Sequence, residues 1–121
     1  MSAWRQQAAD RLPELWRDEE ARQSIYLFFF EVLPFVIAAH RSGDEGVLER
    51  GYGFAKWCFH QGGDLENAAA VAFYEHLFDS WELREDVVRW LDPRIARACW
   101  ALFAMRLDAE KLEFLRRRLQ V

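Results

Sequence analysis

The sequence predicts an all-α fold, a compact array of about six or seven short antiparallel helices around a central hydrophobic helix. Apolar residues recur at spacings of three and four along most of the chain, and no stretch alternates as a half-buried strand would. Stop-and-start signals punctuate that pattern at Ser42–Gly43–Asp44, Gly62–Gly63–Asp64 and Asp92–Pro93. The stretch Ser24–Ala39, SIYLFFFEVLPFVIAA, is apolar on every side of a helix and so calls for cover on every side. Its sixteen residues fall short of the roughly 20 that a bilayer core requires. It also carries Glu31 and Pro34, and the charged run Arg17–Asp18–Glu19–Glu20 precedes it. It therefore reads as the most buried helix of a soluble domain.

The elements follow in order. Trp4, Ala8, Leu12, Leu15 and Trp16 mark a first amphipathic helix over about 2–17, which Pro13 kinks or restarts. The second helix runs over about 18–41, with a bend or break expected at Pro34, which cannot donate to the Phe30 carbonyl. The third, about 44–61, places Val47, Gly51, Phe54, Ala55 and Cys58 on one face. Gly51 and Gly53 each weaken a helix by about 1 kcal/mol relative to alanine, so they point to close helix approach. A fourth helix runs from Asp64 to about Phe78. A fifth, after Asp79–Ser80, turns Leu83, Val87, Trp90 and Leu91 inward. Asp92–Pro93, an N-cap carboxylate followed by proline at the first helical position, starts a sixth. That helix buries Ile95, Ala98, Cys99 and Leu102. Asp108 caps a seventh with Leu112, Leu115 and Leu119 inward.

At 121 residues the chain makes one domain, 1–121, with 52% hydrophobic residues, six Trp and ten Phe to fill its core. A formal charge of −4 disfavours nucleic acid as a partner. Cys58 and Cys99 lack CxxC spacing and sit among apolar neighbours, as reduced core thiols do. The N-terminus has no apolar leader core, and a cytoplasmic location agrees with reduced cysteines.

Motifs for catalysis are sparse. His40, His60 and His76 stand twenty and sixteen residues apart, with no HExxH and no paired Glu-x-x-His, so neither metal nor cofactor is expected. Glu31, inside the apolar stretch, reads as reaching solvent or pairing with an arginine rather than as a proton-transfer carboxylate. Gly62–Gly63 is a turn, because no phosphate-loop pattern accompanies it. The last third is rich in arginine, but interleaved acids and the helix dipole account for it. The opposite asymmetry is cleaner. From Trp57 to Leu83 there is no Lys or Arg, while Asp64, Glu66, Glu75, Asp79 and Glu82 supply five negative charges. Asp64, Glu75 and Asp79 fall within about 60° of one another on a continuous fourth helix. Asp64, Glu75, Asp79 and Glu82 are thus the predicted protein-interaction residues, facing a basic partner.

The segments LPFVIAAH…GD, FAKWCFHQGGDLENAAAVAFYEHLF and LDPRIARACW resemble small all-helical bacterial proteins of unknown function, of immunity-protein-like or HEAT-like type. The likeness is one of helix–turn pattern over roughly residues 30–105 and implies no functional residue. The function expected is a non-enzymatic protein-binding module, immunity- or adaptor-like, using an acidic helix face. A homo-oligomeric structural or regulatory protein is the second reading, marked by exposed tryptophan at Trp81 or Trp100. A small-molecule site or enzyme around Glu31, His60 and His76 is the third.

Overall fold

The computed structural model describes residues 1–121 and contains helices and turns with no strand. Eight α-helices succeed one another: α1 Ala3–Arg11, α2 Ile25–Ser42, α3 Glu45–Phe59, α4 Gly63–Ala72, α5 Arg84–Trp90, α6 Pro93–Ala98, α7 Trp100–Arg106 and α8 Ala109–Leu119. The all-α expectation holds. The count is eight because the predicted sixth helix divides into α6 and α7.

Capping chemistry sets most boundaries. The Ser24 hydroxyl accepts from the amides of Tyr26 and Leu27, both at 3.1 Å, which starts α2 seven residues later than the periodicity suggested. Asp44, Asp92 and Asp108 accept from the amides of Val47, Arg94 and Lys111 and open α3, α6 and α8 as predicted. Gly43, at φ +73°, closes α2 in the left-handed conformation. The first helix ends at Arg11, ahead of Pro13, because the residue before a proline disfavours helical geometry. Pro34 does not break α2, which runs on to Ser42. Phe30, whose carbonyl loses its amide donor there, and Pro34 itself are both exposed, on the side of the helix where water can replace a lost donor.

The fourth helix stops at Ala72 instead of running to Phe78. Phe73 leaves helical geometry (φ −127°, ψ −72°) and a 3-10 turn covers Tyr74–His76. On one straight helix the buried residues Ala68, Ala69, Ala72, Phe73, Tyr74, Leu77 and Phe78 would span about 280° of the circumference. Turning the chain lets all seven face the same interior. The chain turns again at Cys99 (φ −94°, ψ 7°), which separates α6 from α7. The shift of phase leaves Ala98 exposed and buries Ala96 and Phe103 instead.

A single hydrophobic cluster runs from Trp4 to Leu119. Its centre is an aromatic ladder linking α2, α3 and the end of α4. Phe54 meets Phe28 and Phe29 with ring centroids 5.3 and 5.4 Å apart, and Phe73 meets Phe29 and Tyr52 at 5.9 and 5.6 Å. Cys58 and Cys99 are buried, unpaired thiols, as expected, and burial pushes them up to about 12 and about 11.

The central helix departs from expectation in one respect. Ile25, Phe28, Phe29, Val32, Val36, Ala39 and His40 are buried against α3, α4 and the turn before α2. The opposite face is open: Phe30 is 59% exposed, Glu31, Pro34 and Ala38 are exposed, and Leu27, Leu33 and Ile37 are half-buried. All-round apolarity did not bring all-round cover, because α3 and α4 pack on one side and no element returns across the other.

The contacts of α3 with α2 and with the turn after α1 generate two predictions. A Cβ on Gly51 would collide with Val36 Cγ2, so Gly51→Ala should destabilise by about 1–3 kcal/mol through overpacking. Urea unfolding should show Val36→Ala in the same chain recovering part of the loss, as a non-additive pair. Glu14 accepts two bonds from Arg50, both 2.8 Å, and those bonds hold its carboxyl down from the ordinary 4.5 to about 2. A depressed carboxylate stabilises above its unfolded value and loses that stability as pH falls from about 4.5 toward 2. Because the pair is part-exposed, the gap between wild type and Glu14→Gln should be at most about 1 kcal/mol at neutral pH and close by pH 2 in acid-titrated thermal melts.

Candidate functional site

Ending α4 at Ala72 disperses the predicted acidic face. Asp64 lies in the first turn of α4, Glu75 in the following 3-10 turn, Asp79 beyond it, and Glu82 in the 3-10 turn Trp81–Leu83 before α5. Three of the four are engaged within the molecule. Arg106 of α7 donates from Nε and Nη2 to the two Asp79 oxygens at 3.0 and 2.9 Å. Its Nη1 lies 3.8 Å from Glu75, and His76 approaches Asp79 at 3.0 Å and Glu75 at 3.4 Å. Arg41 holds Glu82 at 3.0 Å. The residues remain acidic, but Glu75, Asp79 and Glu82 are partners of nearby cations rather than one free face. Asp64 alone of the four is exposed and unpaired.

Glu31, His60 and His76 do not converge either. Glu31 is exposed on the outer face of α2, in agreement with the solvent-reaching reading, and the C-cap of α3 carries an exposed His60. His76 sits in the Arg106 cluster, and none of five surface clefts brings two of the three together. Trp81 and Trp100 are half-buried rather than exposed. Trp81 packs against Phe78 and Phe114 with Arg84 over its ring, and Arg116 lies over Trp100.

The polar group that the sequence reading passed over is His40. It is the one buried polar side chain, with Nδ1 2.7 Å from Asp86 Oδ2 and Nε2 2.7 Å from the Tyr52 hydroxyl. With a carboxylate at Nδ1 the neutral ring carries its proton there, and the phenol donates to Nε2. An acid–imidazole–hydroxyl chain has the order of a nucleophilic triad, but here the hydroxyl points inward and burial raises Tyr52 well above the ordinary phenol value. The chain ties α2, α3 and α5 together and presents no nucleophile to solvent. Its one sequence signal was position: His40 continues the buried face Phe29, Val32, Val36, where a polar ring must find partners.

The outer face of α2 is an open apolar surface. Leu27, Phe30, Leu33, Pro34 and Ile37 run along it, and at its N-terminal end lies a dent of about 200 Å³ lined by Asp18, Glu20, Ala21, Leu27, Phe30 and Glu31. Asp18 spends one oxygen on the amides of Glu20 and Ala21, and no ion pair uses Asp18, Glu20 or Glu31. On the neighbouring α4, Asn67 donates to the Tyr26 hydroxyl at 2.7 Å, and Asp64 lies one turn before it. An exposed phenylalanine is thus bordered by carboxylates that nothing in the chain neutralises.

Residues 5–105 match the family described as Domain of unknown function (DUF7674). The chain belongs to that family. The match takes in α1 through most of α7, including the α2 face and the His40 chain, and leaves α8 beyond it. Neither the curated proteins nor the solved structures contain a match to this family member.

Removing the Tyr52 hydroxyl should expose the worth of the buried chain. Tyr52→Phe leaves Nε2 of His40 without its donor in a dry interior, so a loss of about 1–3 kcal/mol is expected in urea unfolding. His40→Ala, which also opens a cavity and strips Asp86 of its partner, should cost more.

Proposed function

We propose that this DUF7674 protein is a non-enzymatic protein-binding module that takes a basic amphipathic helix of another protein across the outer face of α2. The observation that carries this reading is Phe30, 59% exposed in the second turn of α2 and bordered by the unpaired carboxylates Asp18, Glu20 and Glu31. Large apolar side chains left open on a folded surface, with a polar rim, are the usual mark of an interaction site. The sign of the rim selects the partner. Apolar anchors at i, i+3, i+4 and i+7 would cover Leu27, Phe30 and Pro34, and flanking Lys or Arg would meet the carboxylates. Single-signed charge also speeds encounter and rejects acidic competitors. The partner is thus the basic protein anticipated from the sequence, while the docking residues shift from Glu75, Asp79 and Glu82 to the α2 face, with Asp64 at its edge. The same rim opposes an anionic membrane surface.

A synthetic leucine–lysine amphipathic helix, titrated into the labelled protein at low salt, tests the reading. Amide shifts should centre on Leu27–Ala38. Phe30→Ser and the double change Asp18→Asn with Glu31→Gln should each weaken binding by about tenfold, and added salt should weaken the wild type toward the charge-stripped variant. Sedimentation should find the free protein monomeric. Shifts elsewhere, a dimer abolished by Phe30→Ser, or tighter binding to anionic vesicles than to the peptide would each overturn the proposal.

A further inference from the structure

On a different surface from α2, the largest cleft of the molecule, about 620 Å³, opens between α3, the turn after α4 and the corner joining α5 to α6. That volume falls within the range that small-molecule sites occupy. The buried rings of Tyr52 and Tyr74 lie at its base, and Trp90 forms a wall. The Trp90 ring lies nearly parallel to Tyr52, with centroids 6.0 Å apart and planes inclined by 20°. The His40–Asp86 chain holds the Tyr52 hydroxyl inward, so the tyrosine ring is fixed and Trp90 has a firm backing.

The charged lining is unbalanced in the opposite sense to the chain. Lys56, Arg89 and Arg94 border the cleft against one acid, Asp92, in a protein of net charge −4. Lys56 is 3.0 Å from Asp92 Oδ2, and the other Asp92 oxygen accepts from the Arg94 amide at 2.8 Å. Arg89 spends one nitrogen on Asp86 at 3.1 Å. The Arg94 guanidinium has neither an ion pair nor a hydrogen-bond partner within the chain, and its planar fork matches an oxyanion.

We propose that this cleft binds a small ligand made of an oxyanion on a planar ring, the ring against Trp90 and Pro93 and the oxyanion between Arg94 and Lys56. The ligand class is an aryl phosphate or an aromatic carboxylate, which share that chemistry. Binding here is independent of the α2 face.

Phenyl phosphate, benzoate, inorganic phosphate and benzylamine, each titrated into the labelled protein at low salt, provide the test. Phenyl phosphate or benzoate should shift the amides of Gly53 and Arg89–Ile95, and whichever binds more tightly identifies the oxyanion. Arg94→Gln, a change at an exposed side chain that leaves the fold intact, should weaken that binding by about tenfold. Trp90→Leu should weaken the aryl ligand and leave inorganic phosphate unchanged, while Phe30→Ser should alter neither. The proposal is overturned if neither aryl anion shifts those amides at low-millimolar concentration. Equal binding of benzylamine, or undiminished binding by Arg94→Gln, would also overturn it.

Discussion

The close approach of α3 to α2 at Gly51 sets where everything else can go. With no side chain at Gly51, Val36 reaches the α3 backbone, and a methyl group there would collide with Val36 Cγ2. That closeness brings Phe54 between Phe28 and Phe29 and allows Phe73 to close the ladder from the end of α4. It also brings His40, at the end of α2, within hydrogen-bond reach of Tyr52 on α3. The two interactions reinforce each other: aromatic packing dries the interior, and in a dry interior an unpartnered imidazole or phenol would be costly.

Packing α3 and α4 against one side of α2 has a consequence on the other. A helix about ten ångströms across needs neighbours on several sides to be covered, but α6 to α8 pack on one another and on the turn after α4, and α5 meets α2 at His40, on its buried face. Phe30, Leu33 and Ile37 therefore remain at the surface although they belong to the most apolar segment of the chain. The charges sort in a related way. Arg106 and Arg41 reach across to Asp79, Glu75 and Glu82, which consumes the acids of the middle segment in contacts between elements. The acids around the start of α2 have no such partner, and the cations at the α5–α6 corner outnumber theirs. The result is an acid-bordered apolar face and a cationic aromatic cleft on a chain whose overall charge is only mildly negative.

Local chemistry alone determined the all-α class, the caps at Asp44, Asp92 and Asp108, the inward faces of α3 and α8, and the burial of both cysteines, because each depends on residues within a few positions of one another. Tertiary structure decided the rest. Whether α4 continues past Ala72 depends on how many apolar residues the interior can accept from one direction, and periodicity within the segment carries no such count. The Asp79–Arg106 and His40–Asp86 pairs join residues 27 and 46 positions apart, and no spacing rule predicts them. The exposure of Phe30 is the clearest case. Its hydrophobicity is a property of the side chain, but its burial depends on whether another element crosses that face of α2, and that is settled only by the packing of the whole chain.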